Sequence, residues 1–316
     1  MLRVIRPDST RFSGQVNYRA RPDFENPRAP VESAQPHSMD FFGVSLTRST
    51  HDEMLAACRK ALSGEGSPLS VVTPNPEILL RARADAKFAA TLNAAGLRIP
   101  DGIGLYLAAQ FADSRLPQWA RALAAPWFAA RLFFARRALY AAYGERLAGS
   151  DLTASILAEA SAKGLSVAVV EPLVAEVRTP GDRRKIESQS RIAGILREKY
   201  PGLVKLAVLY WDKTNPSAVT AALKADPHAL VICTLGSSRQ EEVAVALVAS
   251  CPGVRLALAV GGSLDFECGF VKRAPKFFRA AGLEWLWRLA LEPRKRARRI
   301  WDAVVRFPLA VLRDGK

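Results

Sequence analysis

Asp101 stands in the run Pro100-Asp101-Gly102-Ile103-Gly104, where a stiff residue leads in and two glycines follow. A lone carboxylate in such a turn can be a catalytic group. Asp is equally a favoured helix N-cap, so catalytic group and cap both fit the turn. Gly102 and Gly104 let another molecule come close to the backbone. Thr73-Pro74-Asn75-Pro76 closes an apolar run, and strand alternation puts Thr73 and Asn75 on one side, two positions apart. Paired donors of this kind suit a sugar hydroxyl or a phosphate oxygen. The same four residues also make an ordinary strand-to-helix turn capped by Asn75. Gly236-Ser237-Ser238-Arg239-Gln240 has the build of an anion cradle, with backbone N–H groups at a helix start and a guanidinium beside them. It lacks the lysine of a P-loop and the glycine spacing of a dinucleotide site.

Metal and triad chemistry find less support. Asp265-Phe266-Glu267 would turn both carboxylates to one side of a strand, as a divalent cation needs, yet two acids do not complete a site. His37, His51 and His228 are scattered, giving neither a zinc cluster nor a nucleophile-histidine pair.

These turns follow strand-length apolar runs at 69–73, 165–170, 204–210, 229–234 and 254–260, with helical periodicity between them at 151–162 and 240–249. A short strand at 40–46 and a helix at 51–63 precede the first run. Strands apolar on both faces that alternate with helices make an α/β fold: a doubly wound, Rossmann-like, mostly parallel sheet. Ligands of such sheets bind beyond the carboxyl ends of the strands, where the turns above fall.

With 316 residues, 49% of them apolar, the chain has enough material for a buried core, which excludes disorder throughout. Charge-free apolar stretches such as 243–254 are too short to span a bilayer. Lys and Arg outnumber Asp and Glu by 45 to 30, leaving +15 and favouring an anionic partner. Residues 271–316 hold thirteen of these bases against four acids, so the surplus concentrates in a basic, amphipathic, helical C-terminal appendage interleaved with Trp285, Trp287, Trp301 and Phe307. Aromatics among arginines make a membrane surface its expected partner. A second such stretch, with Trp119, Trp127, Phe128, Phe133, Phe134, Tyr140 and Tyr143 among Arg121, Arg131, Arg136 and Arg137, reads either as a helical hairpin broken at Pro126 or as a segment in the lipid headgroup layer. Cys58, Cys233, Cys251 and Cys268 sit mostly in apolar runs, as reduced core cysteines do. Residues 1–38 lack the apolar core of a secretory signal and read as a flexible extension.

Taken in order, Thr73-Pro74-Asn75-Pro76-Glu77, Pro100-Asp101-Gly102-Ile103-Gly104, Glu145-Arg146-Leu147-Ala148-Gly149-Ser150-Asp151-Leu152, Gly261-Gly262-Ser263-Leu264-Asp265-Phe266, Lys272-Arg273-Ala274-Pro275 and Glu284-Trp285-Leu286-Trp287-Arg288-Leu289 form six blocks. With them the chain resembles the WecG/TagA/CpsF glycosyltransferase family from about residue 40 to its end. The resemblance implies an inverting, metal-independent transferase with no cofactor. It would move an N-acetylmannosamine-type sugar or related hexose from a UDP-sugar to a polyprenyl-diphosphate-linked acceptor in surface polysaccharide synthesis. It implies a peripheral protein at the cytoplasmic face of an anionic membrane, with no nucleic-acid partner. Asp101 corresponds to the general base and Thr73 to its catalytic companion. Asn75, Gly102, Arg146, Gly236, Gln240, Gly262 and Asp265 correspond to substrate-binding positions, and Arg288, Lys295 and Arg298 to cations of the tail that reach the donor diphosphate. The domains expected are the extension 1–38, a core 39–270 with an aromatic and arginine-rich insertion at about 111–144, and the membrane-binding appendage 271–316.

The chain departs from the family pattern at Glu171-Pro172, where a glycine-rich turn is usual, and in the charged stretch that follows to about Ser188. It also lacks the proline of the Gly236 to Glu241 block and carries Lys295 for an arginine. A carboxylate at 171 would repel a diphosphate, and this together with the altered Gly236 to Gln240 loop leaves a catalytically silent nucleotide-sugar-binding or scaffold protein at the membrane as the rival. The extra length between Gly104 and Glu145 predicts a second membrane contact. Oligomeric state, homo-oligomer included, stays open.

Overall fold

The computed structural model describes residues 39–314 except 115, 175–179, 276–277, 279–283 and 292. The extension at 1–38 lies outside them. The described chain opens on an antiparallel hairpin, β1 (Asp40–Phe41) and β2 (Val44–Ser45), where the sequence reads as one strand. Phe42 and Gly43 both take positive φ, 53° and 76°, the geometry of a two-residue hairpin turn. Helix α1 (His51–Ser63) follows the sequence reading: Thr50 and Glu53 close a capping box, and Gly64 ends the helix at φ 80°.

Six strands build the main sheet: β3 (Leu69–Val72), β4 (Leu97–Arg98), β5 (Ser166–Pro172), β6 (Lys205–Trp211), β7 (Leu230–Cys233) and β8 (Leu256–Ala259). Their order is β4-β3-β8-β7-β5-β6 and every pairing is parallel. Successive strand residues serve opposite cores. Val72, Ala168, Val170, Val231 and Ala257 enter one; Val71, Val167, Val169, Leu230 and Leu256 enter the other. Burial on both faces explains why the strands read as continuous apolar runs.

The first core is covered by α2 (Pro76–Ala84), α3 (Ala86–Ala94), α4 (Ile103–Asp113) and, further along, α10 (Ala218–Ala225) and α11 (Arg239–Ser250). Its periphery carries α5 (Gln118–Leu123), α6 (Ala125–Phe134) and α7 (Arg136–Tyr143), which supply Leu132, Leu139 and Tyr143. The second core is covered by α1, α8 (Gly149–Ala162), α9 (Pro180–Lys199) and α12 (Ser263–Glu267). Neighbouring strands β3 and β8 therefore send their chains to opposite faces, α2 to one and α12 to the other. That divergence opens a crevice at their carboxyl ends.

Toward the end come α13 (Glu284–Leu291), α14 (Pro293–Trp301), a π-helical turn (Asp302–Arg306) and α15 (Phe307–Asp314). The last helix belongs to the core rather than to a detachable tail. Phe307 is wholly buried, with its ring edge-on to Phe41 at 5.2 Å and Phe42 at 5.8 Å, and Pro308, Ala310 and Val311 are buried with it. A cut at residue 270 would thus open the first core. Among the described residues no helix is long and apolar enough to cross a membrane.

Candidate active site

The loops after β3 and β4 are laced together at the crevice. Ile99 N–H donates to the Val72 carbonyl and Asp101 N–H to the Pro74 carbonyl, both at 2.9 Å, which sets the Asp101 turn beside Thr73-Pro74-Asn75. Helix α4 is capped by Gly102, at φ 112°, with no side-chain capping bond. Of the two readings of Asp101, cap and functional acid, the cap is therefore taken by another residue. The Asp101 carboxylate is about one-third exposed and meets Arg146 Nε at 3.4 Å. Arg146 comes from the segment after α7, which is pinned to the start of α1: Glu145 Oε2 accepts from His51 N–H at 2.7 Å, and Glu145 N–H donates to the Ser49 carbonyl.

Thr73 is buried and its hydroxyl donates to the Ala259 carbonyl at 3.4 Å, bridging the ends of β3 and β8. Asn75 is the N-cap of α2: its Oδ1 accepts from Ile78 N–H at 3.0 Å, and its amide nitrogen is the group left to meet a substrate. At the end of β8, Gly261 (φ 55°) and Gly262 turn the chain into α12, and a Cβ on Gly262 would lie 3.4 Å from Asp265 Oδ2. Asp265 and Glu267 lie on this helix, not on a strand, so they do not share a side. Glu267 instead accepts from Lys199 and Tyr200. Among the described residues no three His, Cys, Asp or Glu side chains cluster as a metal site would need.

The Gly236 to Gln240 loop differs from the anion cradle read in the sequence. Gln240 N–H already donates to the Gly236 carbonyl at 3.1 Å, and Arg239 lies over the Trp211 ring at 5.5 Å. Arg81, from the last turn of α2, donates to the Ser237 carbonyl at 3.1 Å and ties this loop to the crevice. Behind it Gln240 and Glu241 are buried side by side, Gln240 Nε2 donating to Glu241 Oε1 at 2.9 Å. Gln240 Oε1, Glu241 Oε2 and Ser237 Oγ are buried with no hydrogen-bond partner among the described residues. The Gln240 amide lies 3.7 Å from where a Gly261 Cβ would stand, so the absent side chain leaves its oxygen room for a donor. Burial pushes the Glu241 carboxyl up to about 7, against smaller opposing effects from the Gln240 hydrogen bond and the Arg81 charge. Sequence reading missed Glu241. Its signal was the helical face it shares with Gln240, Ala244 and Leu247, all buried.

A family model described as Glycosyl transferase WecG/TagA/CpsF family matches residues 39–132 and 129–316. The chain belongs to this family. Its six blocks are distant in sequence but several meet in space, as when Arg273 of the fifth donates to Ser150 (2.9 Å) and Asp151 (2.5 Å) of the third. For a glycosyltransferase the departure at Glu171 matters most, and its charge is matched internally. The buried carboxylate accepts from Thr234 Oγ1 at 2.5 Å and Gln189 Nε2 at 3.1 Å, and Lys185 Nζ lies 2.5 Å away. Two of these three partners come from α9, close to the charged stretch that departs with it.

The C-terminal cations are only partly visible. The side chains of Arg288 and Lys295 lie outside the described residues; Arg298 is exposed on α14. Its neighbour Arg299 pairs with Glu77 at 3.1 Å, in the first turn of α2. Gly104 receives not a foreign molecule but the chain itself: a Cβ there would stand 2.6 Å from the Ala303 carbonyl. The π-helical turn thus presses on the first turn of α4, two residues from Gly102.

Proposed function

We propose that this glycosyltransferase is inverting, with Asp101 as general base, and that it transfers a hexose of N-acetylmannosamine type from a UDP-sugar to a polyprenyl-diphosphate-linked acceptor. The observation that carries the reading is the Asp101 carboxylate at the crevice, relieved of capping by Gly102 and oriented by Arg146. Inverting transfer needs one base to accept the proton of the attacking hydroxyl as that oxygen bonds the anomeric carbon and the diphosphate departs with the bonding pair. Asn75 offers a donor and Gln240 an acceptor for sugar groups. Thr73 holds β3 to β8 beneath them. The developing charge on the diphosphate is assigned to cations of the C-terminal segment, Arg288, Lys295 and Arg298, rather than to a metal. In support, the turn after α14 packs on α4 beside the base.

A lipid-linked acceptor places the protein at the cytoplasmic membrane face as a peripheral enzyme, where anchoring raises the effective concentration of a substrate confined to the bilayer. A catalytically silent binder is the alternative, motivated by Glu171 and by the altered Gly236 to Gln240 loop; Lys185 against the Glu171 carboxylate weakens the first of these grounds, and donor turnover decides between the two readings.

The test is turnover of a UDP-sugar panel with a synthetic lipid-diphosphate sugar acceptor, read by product mass. Asp101→Asn should lower kcat by about two to four decades with unchanged UDP affinity. Undiminished turnover removes Asp101 from the role.

A further inference from the structure

Helix α6 is built inside out for a water-facing helix. Phe128 and Leu132 point inward, Phe128 edge-on to Phe111 at 5.2 Å. Trp127, Arg131 and Phe134, at i, i+4 and i+7, share the outward face, where a soluble helix carries mixed polar residues. With Trp119 and Leu123 of α5 this face shows four large apolar side chains, from 67% exposed at Trp127 to 91% at Phe134. Isolated exposed apolar residues are ordinary; four in sixteen positions are not. Charge marks the occupant. Residues 114–143 contain five arginines and no acid, the complement of an anionic headgroup layer into which aromatic rings dip while guanidinium groups stay at the phosphates.

Behind this face, between α4, α6 and α7, lies a cavity of about 370 Å³. Phe128 and Leu139 line it with apolar surface, Trp127 and Arg131 border both it and the outer face, and the Asp113 carboxylate in its lining accepts from the Tyr143 hydroxyl at 2.9 Å. The rest of the polar lining is incompletely bonded. Gln110 is 3% exposed and donates its amide to the carbonyls of Tyr106 and Phe128, at 3.2 and 3.4 Å, while its oxygen and the Ser114 hydroxyl have no partner among the described residues. Apolar lining, cation and orphaned acceptors together fit an amphiphile with a phosphate and donor groups at its head. The cavity is also joined to the crevice by two elements. Helix α4 begins beside Asp101 and ends in the cavity wall at Asp113, about 15 Å along its axis. Helix α7 ends there at Tyr143, three residues before Arg146.

We infer that α5, α6 and α7 form a membrane-docking face whose outer side chains enter an anionic bilayer, and that the cavity behind it holds the lipid-proximal part of the polyprenyl-diphosphate acceptor. The second half of this statement rests on the proposed glycosyl transfer; the first does not. The full chain is mixed with phosphatidylcholine vesicles containing phosphatidylglycerol, and partition is compared between parent and the doubly substituted Leu123→Glu, Phe134→Glu protein. Both positions are solvent-facing, so melting should not move, and partition should weaken about tenfold or more. Equal partition overturns the docking face. Brominated lipids supply a second readout on an undisturbed surface: the quenched emission amplitude should fall in Trp119→Phe, Trp127→Phe by the share of those two rings, and an undiminished amplitude overturns it too. For the cavity, a prenyl diphosphate bearing a photoreactive diazirine should label residues 124–131 and 139–143. Unlabelled prenyl diphosphate should compete and excess phosphatidylglycerol should not; competition by both, or labelling elsewhere, overturns the assignment. No arm reads turnover, so a chain inactive toward UDP-sugars leaves the docking result standing and refutes only the transfer chemistry.

Discussion

Glu241 gives the sharpest physical prediction. Its carboxyl is fully buried, with one oxygen bonded to Gln240 and the other without a hydrogen-bond partner among the described residues. The charged and titratable groups that face it are Arg81 of α2, Glu242 of its own helix and the Cys233 thiol of β7. Burial outweighs the attraction of Arg81, and the carboxyl is held at about 7 against an ordinary value of 4.5. Between these values the folded protein keeps a proton that the unfolded chain has lost. Stability must therefore fall as pH rises through that window and level off above it, by roughly 3 kcal/mol in all. Glu241→Gln preserves the shape and the acceptor for Gln240 Nε2 but cannot ionise. Urea unfolding of parent and variant from about pH 5 to about pH 8 isolates the group, because every other titrating side chain is common to both. The parent should lose about 3 kcal/mol relative to the variant over that range. Parallel curves would refute the reasoning, since a carboxyl with an unshifted pKa adds no slope there.

Other consequences are read more simply. Phe307→Ala should cost about 3–5 kcal/mol in urea unfolding, because it empties a fully buried ring site against Phe41 and Phe42; a loss under about 1 kcal/mol would show that α15 is not part of the core. Lys185→Met strands the Glu171 carboxylate with only its two neutral donors and should cost roughly 2–4 kcal/mol. The same lysine change made together with Glu171→Leu should recover most of that loss, and failure to recover would mean the pair is not what the substitution breaks.

The sheet was legible because its physics is simple: alternating residues such as Val167 and Ala168 both meet a core, so each strand reads as an unbroken apolar run. Helix α1 was legible from Thr50, Glu53 and Gly64, whose roles are local. The 40–46 hairpin was not, since its turn, Phe42-Gly43, has one large apolar residue where turn signals are polar. At the site, the turns holding Thr73, Asn75 and Asp101 were located correctly at strand ends, but only the coordinates show which residue caps α4. Glu241 escaped because an acid in a first helical turn ordinarily serves the helix dipole in water. The packing of the last helix on the core was not legible for a related reason. The dense charge of 294–299 colours its surroundings, and Phe307, Ala310 and Val311 have the same spacing whether a helix faces lipid or a core.

The contact of Phe307 with Phe41 and Phe42 joins nearly the last described residues to nearly the first. During synthesis the β1–β2 hairpin must wait, with Phe41 and Phe42 not yet covered by their partner ring, until Phe307 clears the ribosome. A prematurely terminated chain cannot shut that side of the molecule and is exposed to proteolysis. The order of translation thus delays closure of the first core until Phe307 has been made.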